Sequence, residues 1–134
     1  LRIGRCYLPR QELEALGLRP TDLLEPPAIL KVRPLLRGLL ALTLDHYESA
    51  WAYTLAIPRR EARMRLACAW PLFIGLKTLA LIGESPNLLD PSIVIKIPRS
   101  AVYAIIARSL AGIASNSTLD RYYRNLRQSI AVPV

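Results

Sequence analysis

Apolar positions recur at helical spacing along most of this chain. From about Lys31 to Ile57, Leu36, Leu40, Leu44, Tyr47, Trp51 and Leu55 fall on one stripe, with Arg37, Asp45, Glu48 and Ser49 on the other side. Pro34 suits the first turn of such a helix, where its missing N–H costs little, and Pro58 ends it. The next period, about Arg59 to Ile82, divides in two. Its opening turns carry Arg59, Arg60, Glu61, Arg63 and Arg65, with Glu61 and Arg65 spaced to pair at i,i+4. Beyond Arg65 nearly every position is apolar and Lys77 is the only charge, so this helix is expected to be central and the most buried in the chain.

Two later helices follow the same logic. Val102, Ile105, Ile106, Leu110 and Ile113 share one face; Leu119, Tyr122, Tyr123, Leu126 and Ile130 share another, with Arg121, Arg124 and Arg127 outside. Ser115-Asn116-Ser117 supplies the cap between them. Upstream, Cys6 to Pro9 reads as a short extended piece, because a residue before proline is pushed out of the helical region. Arg10 to Leu16 reads as a two-turn helix stopped by Gly17, Thr21 as the cap of a short Asp22-Leu23-Leu24 turn, and Glu25-Pro26-Pro27 as a break. Gly83 to Pro91 has the composition of a loop, and Ser92 to Ile97 that of a short β-branched extended piece. The fold class is all-α, with five or six helices and no internal repeat.

Composition narrows the function classes. At 52% hydrophobic and 21% charged, the 134 residues can bury a core and are not disordered. A net charge of +8 suits anionic partners: nucleic acid, an acidic membrane surface or a small phosphorylated substrate. Cys6 and Cys68 have no metal-type spacing and apolar neighbours, so buried free thiols in a reducing cytoplasm are expected. His46 has no second histidine from which to build a metal site or triad. The longest uncharged apolar run, Leu66 to Leu76, is too short to span a membrane.

Three stretches could carry chemistry. In Gly4-Arg5-Cys6-Tyr7-Leu8-Pro9, Arg5 and Tyr7 each have the chance to face a cavity from an extended segment. In Cys68-Ala69-Trp70-Pro71, followed by Thr78-Leu79, a proline inside an apolar helix frees the carbonyl of Ala67, usually at a cost of about 3 kcal/mol. In Ser92-Ile93-Val94-Ile95-Lys96-Ile97-Pro98-Arg99-Ser100, Lys96 and Arg99 stand before a helix start, where backbone N–H groups could help hold a phosphate.

Taken in order, these stretches resemble the squalene and phytoene synthase family. The first is similar to its G-R-x-Y/F-x-P segment, which follows the second aspartate-rich motif. The second is similar to C-A-x-P-x-x-x-x-x-x-T-L, departing at Ala67, where members often have an aromatic residue. The third is similar to a V-K-I-R-basic segment, departing at Pro98, with Arg99 displaced by one.

The resemblance implies the C-terminal helical portion of a class I isoprenoid-synthase-type bundle with a central apolar cavity, filled by residues 1–134, with the N-terminal half and its aspartate-rich motifs missing. It implies head-to-head joining of two farnesyl diphosphates to squalene through presqualene diphosphate, or phytoene or dehydrosqualene formation without reduction. By the same resemblance Arg5, Tyr7, Cys68 and Pro71 would meet substrate, Lys96 and Arg99 would meet NADPH, and Mg²⁺ would be held by ligands outside this chain. Asp22, Asp45, Asp90 and Asp120 form no D-x-x-x-D pair. The chain alone should therefore be inactive. The expected partners are prenyl diphosphates rather than nucleic acid, in the cytoplasm, with peripheral membrane contact as a further expectation; the rival reading is a non-catalytic helical module that binds an anionic membrane surface through the arginines of the last helix.

Overall fold

The computed structural model describes residues 6–130. Their order is helix α1 (Arg10–Ala15), a 3₁₀ turn (Pro20–Leu24), α2 (Ala28–Ala56), α3 (Ala62–Glu84), α4 (Arg99–Gly112) and α5 (Asn116–Gln128), with no strand among the described residues. The all-α expectation holds. Residues 93–98 lack regular structure, and Pro98 is extended.

α1 stops as its glycine predicts. Gly17 adopts φ +68°, the Leu18 N–H reaches the Leu13 carbonyl at 2.9 Å, and the Gly17 N–H reaches that of Glu14 at 2.9 Å. The turn that follows differs from expectation: it starts at Pro20, and its cap is the Asp22 carboxylate accepting the Arg19 N–H at 2.8 Å, not Thr21. Pro20 is pre-set for a first helical position, which moves the start earlier.

α2 also begins early, at Ala28, so Pro34 lies inside the helix rather than in its first turn. Pro34 and Leu30 are both exposed, on a face where water can take the carbonyl that proline leaves without a donor. The residues around Pro34 build a small core in which Leu13, Leu18, Leu23, Ala28 and Val32 are buried, with Cys6 and Leu8 packed against it.

α3 is the central element, packing on α2, α4 and α5. Ala69, Phe73 and Leu76 meet Leu40, Leu44 and Trp51 of α2, Ile105 of α4, and Leu119, Tyr123 and Leu126 of α5 in one core. Each fully buried large side chain contributes roughly 1.5–3 kcal/mol over its exposed state. The helix is not buried all round, however: Met64, Ala67, Pro71 and Leu81 are exposed, because no element among the described residues covers that side. By length and composition alone α3 could cross a membrane; here it packs among three other helices.

Polar groups tie the helices together and correct several expectations. Trp70 Nε1 donates to Ser109 Oγ at 2.8 Å, so α4 turns Ile105, Ser109 and Gly112 inward and leaves Leu110 exposed. The half-buried indole N–H needs an acceptor, which Leu110 could not offer. Arg65 is fully buried rather than wet; it donates from Nη2 to Asn116 Oδ1 at the start of α5, and Glu61 pairs instead with Arg60 at 3.4 Å. Glu48 is not merely solvated either, since it holds Arg124 at 3.3 Å and Arg127 at 3.7 Å. Ser115 caps α5 as expected, accepting the Thr118 N–H at 3.3 Å. Cys6 and Cys68 are free but half-buried.

Candidate functional site

The concave surface of this fold lies between α2 and α3. One hollow of about 440 Å³ is lined by Leu39, Thr43, Thr78, Leu79 and Ile95, among others. A second, of about 250 Å³, is lined by Ile29, Arg33, Arg37, Glu84 and Pro86. Both are walled by Leu36, Leu40, Ile82 and Leu88, so they form one groove. Its size falls in the range of small-molecule sites, and its walls are mainly apolar.

The groove exists because one face of each helix is only partly used by the core. Leu40 belongs to the core, while Leu36 and Leu39 are half-buried. Close approach of the two helices further along is set by Gly75. A Cβ there would lie 1.9 Å from Tyr47 Oη, so only glycine leaves room for the phenol. Burial raises the Tyr47 pKa above its ordinary value, keeping the group neutral at this contact.

One end of the groove is charged. Arg33 donates from Nη2 to the Pro86 carbonyl at 3.0 Å, which fixes the loop after α3 across the opening. Arg37 is half-buried there, not on the opposite side from the apolar stripe as its spacing suggests, and Glu84 shares the lining. Neither arginine stands out in the sequence. The available signal is weak: two cations four apart on α2, flanking the start of the Leu36 stripe.

The residues singled out from sequence are scattered. Arg5 lies outside the described residues. Tyr7 is 81% exposed. Cys68 is half-buried and Pro71 exposed on the uncovered side of α3. Lys96 lines an adjoining hollow of about 240 Å³ with Ile93 and Val94; this hollow shares Glu84, Ser85 and Pro86 with the charged end of the groove and Ile95 with its apolar part, and Arg99, the first residue of α4, does not line it. One cation, one carboxylate and apolar walls do not make a built site for a dinucleotide phosphate. For a metal the answer is similar: among the described residues no group of three or more His, Cys, Asp or Glu could hold one.

Comparison with known proteins decides the family. The squalene/phytoene synthase family model matches residues 1–101. The chain belongs to that family. A bifunctional lycopene cyclase/phytoene synthase from Colletotrichum graminicola is 36% identical over 83 residues, 62% of this chain. The match spans only 13% of that protein's length. No solved structure matches. The match covers α1 to the first turn of α4 and includes every groove-lining residue, whereas α5 lies beyond it.

Proposed function

We propose that this chain is the C-terminal part of a synthase that joins two prenyl diphosphates head to head, and that the α2–α3 groove receives the apolar chain of one of them. The observation that carries this reading is the polarity of the groove: leucine and isoleucine walls leading to Arg33 and Arg37 at one end. A prenyl diphosphate has the same polarity, a long hydrocarbon ending in a polyanion. In this reading the chain's residues bind and orient substrate and keep water from the reacting carbons, where a carbocation would otherwise be quenched. Mg²⁺ would assist departure of diphosphate, and its ligands would come from outside this chain. Tyr7, Cys68 and Pro71 would face substrate only once the uncovered side of α3 is closed by the rest of the synthase.

A non-reducing product is favoured over squalene. The fungal relative is named a phytoene synthase, and Lys96 and Arg99 do not share a hollow. The test is a product assay on the chain extended by the proposed N-terminal half, given farnesyl or geranylgeranyl diphosphate with Mg²⁺, with and without NADPH. Coupled product that does not depend on NADPH is the expected result, with none from the 134 residues alone. Squalene appearing only with NADPH, and lost in Lys96→Ala, would restore the reducing reading; turnover by the isolated chain would remove the proposed location of the metal.

A further inference from the structure

Arg65 meets the start of α5 with the wrong sign for that position. A helix start carries the equivalent of about half a positive charge, and its first N–H groups have no helical acceptor. Cations are stabilised at the other end. Yet the Arg65 side chain, 0% exposed, donates from Nη2 to Oδ1 of Asn116, the first residue of α5. Its Nε and Nη1 are buried with no partner among the described residues.

No carboxylate among the described residues is bonded to this charge. The first turn of α5 holds no acidic residue. Glu61, one turn before Arg65, pairs with Arg60 at 3.4 Å, and Asp120, one turn into α5, accepts from Trp51 and lies 3.6 Å from Arg124. Burial, and then the like charge of Arg59, lowers the Arg65 pKa, so a second cation faces the same corner. A guanidinium stays protonated at neutral pH and cannot escape burial by losing its proton.

The backbone adds donors. Of the first three N–H groups of α5, that of Thr118 reaches Ser115 Oγ at 3.3 Å, and those of Asn116 and Ser117 have no acceptor among the described residues. What this corner lacks is an anion. The lack is costlier than at an ordinary surface helix start, because the buried guanidinium N–H groups have given up water as well.

We propose that the start of α5 is a binding site for a phosphate-type anion, held by Arg65 and the free N–H groups of Asn116 and Ser117, with Arg59 drawing it in. Asn116 is half-buried and Ser117 and Thr118 are exposed, so the anion enters from that side and displaces the Asn116 amide from Nη2. Phosphate suits these donors: two of its oxygens can accept from a guanidinium in parallel, leaving others for backbone N–H groups. The site is distinct from the groove. Arg65 lies near the opposite end of α3 from Ile82 and Glu84, roughly 25 Å away at about 1.5 Å per residue.

The test is urea unfolding of the 134-residue chain in chloride, inorganic phosphate or diphosphate at equal ionic strength, with circular dichroism confirming that each variant folds. Phosphate should raise the midpoint saturably at about millimolar concentration, below the range where its general salting-out effect matters. Arg65→Met should weaken apparent affinity more than about tenfold, and Arg59→Ala, at an exposed position, about threefold. Asn116→Ala should have its own signature: lower stability in chloride, where Nη2 loses its acceptor, and a larger gain from phosphate than the parent shows. Arg37→Ala, at the groove, should leave the gain unchanged. Saturation by diphosphate at lower concentration than by phosphate would support the proposal with diphosphate as its ligand; the reverse order would support it with the free ion. No gain over chloride, or an equal gain in the parent, Arg65→Met and Arg59→Ala, would overturn it. So would a gain lost only in Arg37→Ala, since the anion would then sit in the groove. None of these readouts uses coupling activity, so loss of either reading leaves the other to its own test.

Discussion

The indole of Trp51 lies flat on the ring of Tyr123, with centroids 4.6 Å apart and planes 2° from parallel, while its Nε1 donates to Asp120 Oδ1 at 2.8 Å. Residues on α2 and α5 are thus joined by stacking and by a hydrogen bond from the same side chain. Phe73 of α3 completes the cluster at 5.4 Å from Trp51. The arrangement fixes α5 against the two long helices, so its weak point should control stability.

That weak point is the Tyr123 hydroxyl, which is buried with no hydrogen-bond partner among the described residues. Burial, followed by the neighbouring Glu48 charge, pushes its pKa up to about 12. An acid with a raised folded pKa contributes stability that is intact below its unfolded value, about 10, and is lost as pH rises toward the folded value. The unfolding free energy from urea titrations should therefore fall between about pH 10 and 12 by on the order of 1–2 kcal/mol. In Tyr123→Phe that alkaline decline should shrink, while stability at neutral pH should stay within about 1 kcal/mol of the parent or rise, because an unpaired buried hydroxyl has been removed. An unchanged alkaline profile would show that Tyr123 does not carry it.

Arg65 should behave counter to its size and charge. It is fully buried, Nε and Nη1 have no partner among the described residues, and burial followed by the nearby Arg59 charge lowers its pKa. Among the described residues only Asn116 accepts from its side chain. Replacing a poorly compensated buried ion with an apolar side chain of similar volume often stabilises by about 1–4 kcal/mol. Arg65→Met should therefore raise the denaturation midpoint or leave it unchanged, whereas Arg65→Ala should lower it through the cavity. A strong loss in Arg65→Met would mean that the two orphaned N–H groups have partners that matter.

Much of the fold was legible in the sequence, and the exceptions share a cause. The Leu40, Leu44 and Trp51 stripe, the Gly17 stop and the Ser115 cap depend on neighbours within a turn or two, so a 3.6-residue period and local chemistry reveal them. Arg65 looks wet in the sequence because it follows Arg59, Arg60 and Arg63, with Glu61 spaced to pair with it. Its burial depends on Asn116, 51 residues later. Ser109 is inward for the same kind of reason, an indole N–H from α3. The groove was missed since neither Arg33 nor Arg37 belongs to a motif; a loop returning at Pro86 makes them a mouth. The family motifs pointed to Tyr7, Cys68 and Pro71, whose surroundings this chain does not supply.

Gly75 gives a sharper test of how α2 and α3 meet. A Cβ would fall 1.9 Å from Tyr47 Oη and 2.9 Å from Cζ, and the tyrosine ring is packed against the core. Overpacking of this kind costs about 1–3 kcal/mol. Gly75→Ala should lower the urea midpoint accordingly, and Tyr47→Phe in the same chain should recover part of the loss by removing the hydroxyl. If the double variant is as unstable as the single changes summed, the two residues do not share the contact.

The groove reading makes a prediction that separates its two ends. Arg37 stands at the charged mouth, half-buried among Leu36, Leu40 and Ile82, whereas Thr43 lies further along, facing Thr78 and Leu79 across the apolar walls. If a diphosphate lies near the mouth, removing one cation deletes a charge-assisted contact of roughly 1.5–3 kcal/mol. In the complete synthase Arg37→Ala should then raise KM for prenyl diphosphates about ten- to a hundred-fold, irrespective of hydrocarbon length. Thr43→Trp should do something different. A bulky ring fills the far part of the groove, so a longer prenyl chain should lose kcat/KM and a shorter one should keep it. Each variant thus has its own kinetic signature, tested by steady-state assays on a series of prenyl diphosphates of increasing length. Uniform loss in Thr43→Trp would indicate damage to the fold, which the urea midpoint would register. A KM unchanged in Arg37→Ala, together with length-independent turnover in a stably folded Thr43→Trp, would mean that substrate never enters between α2 and α3.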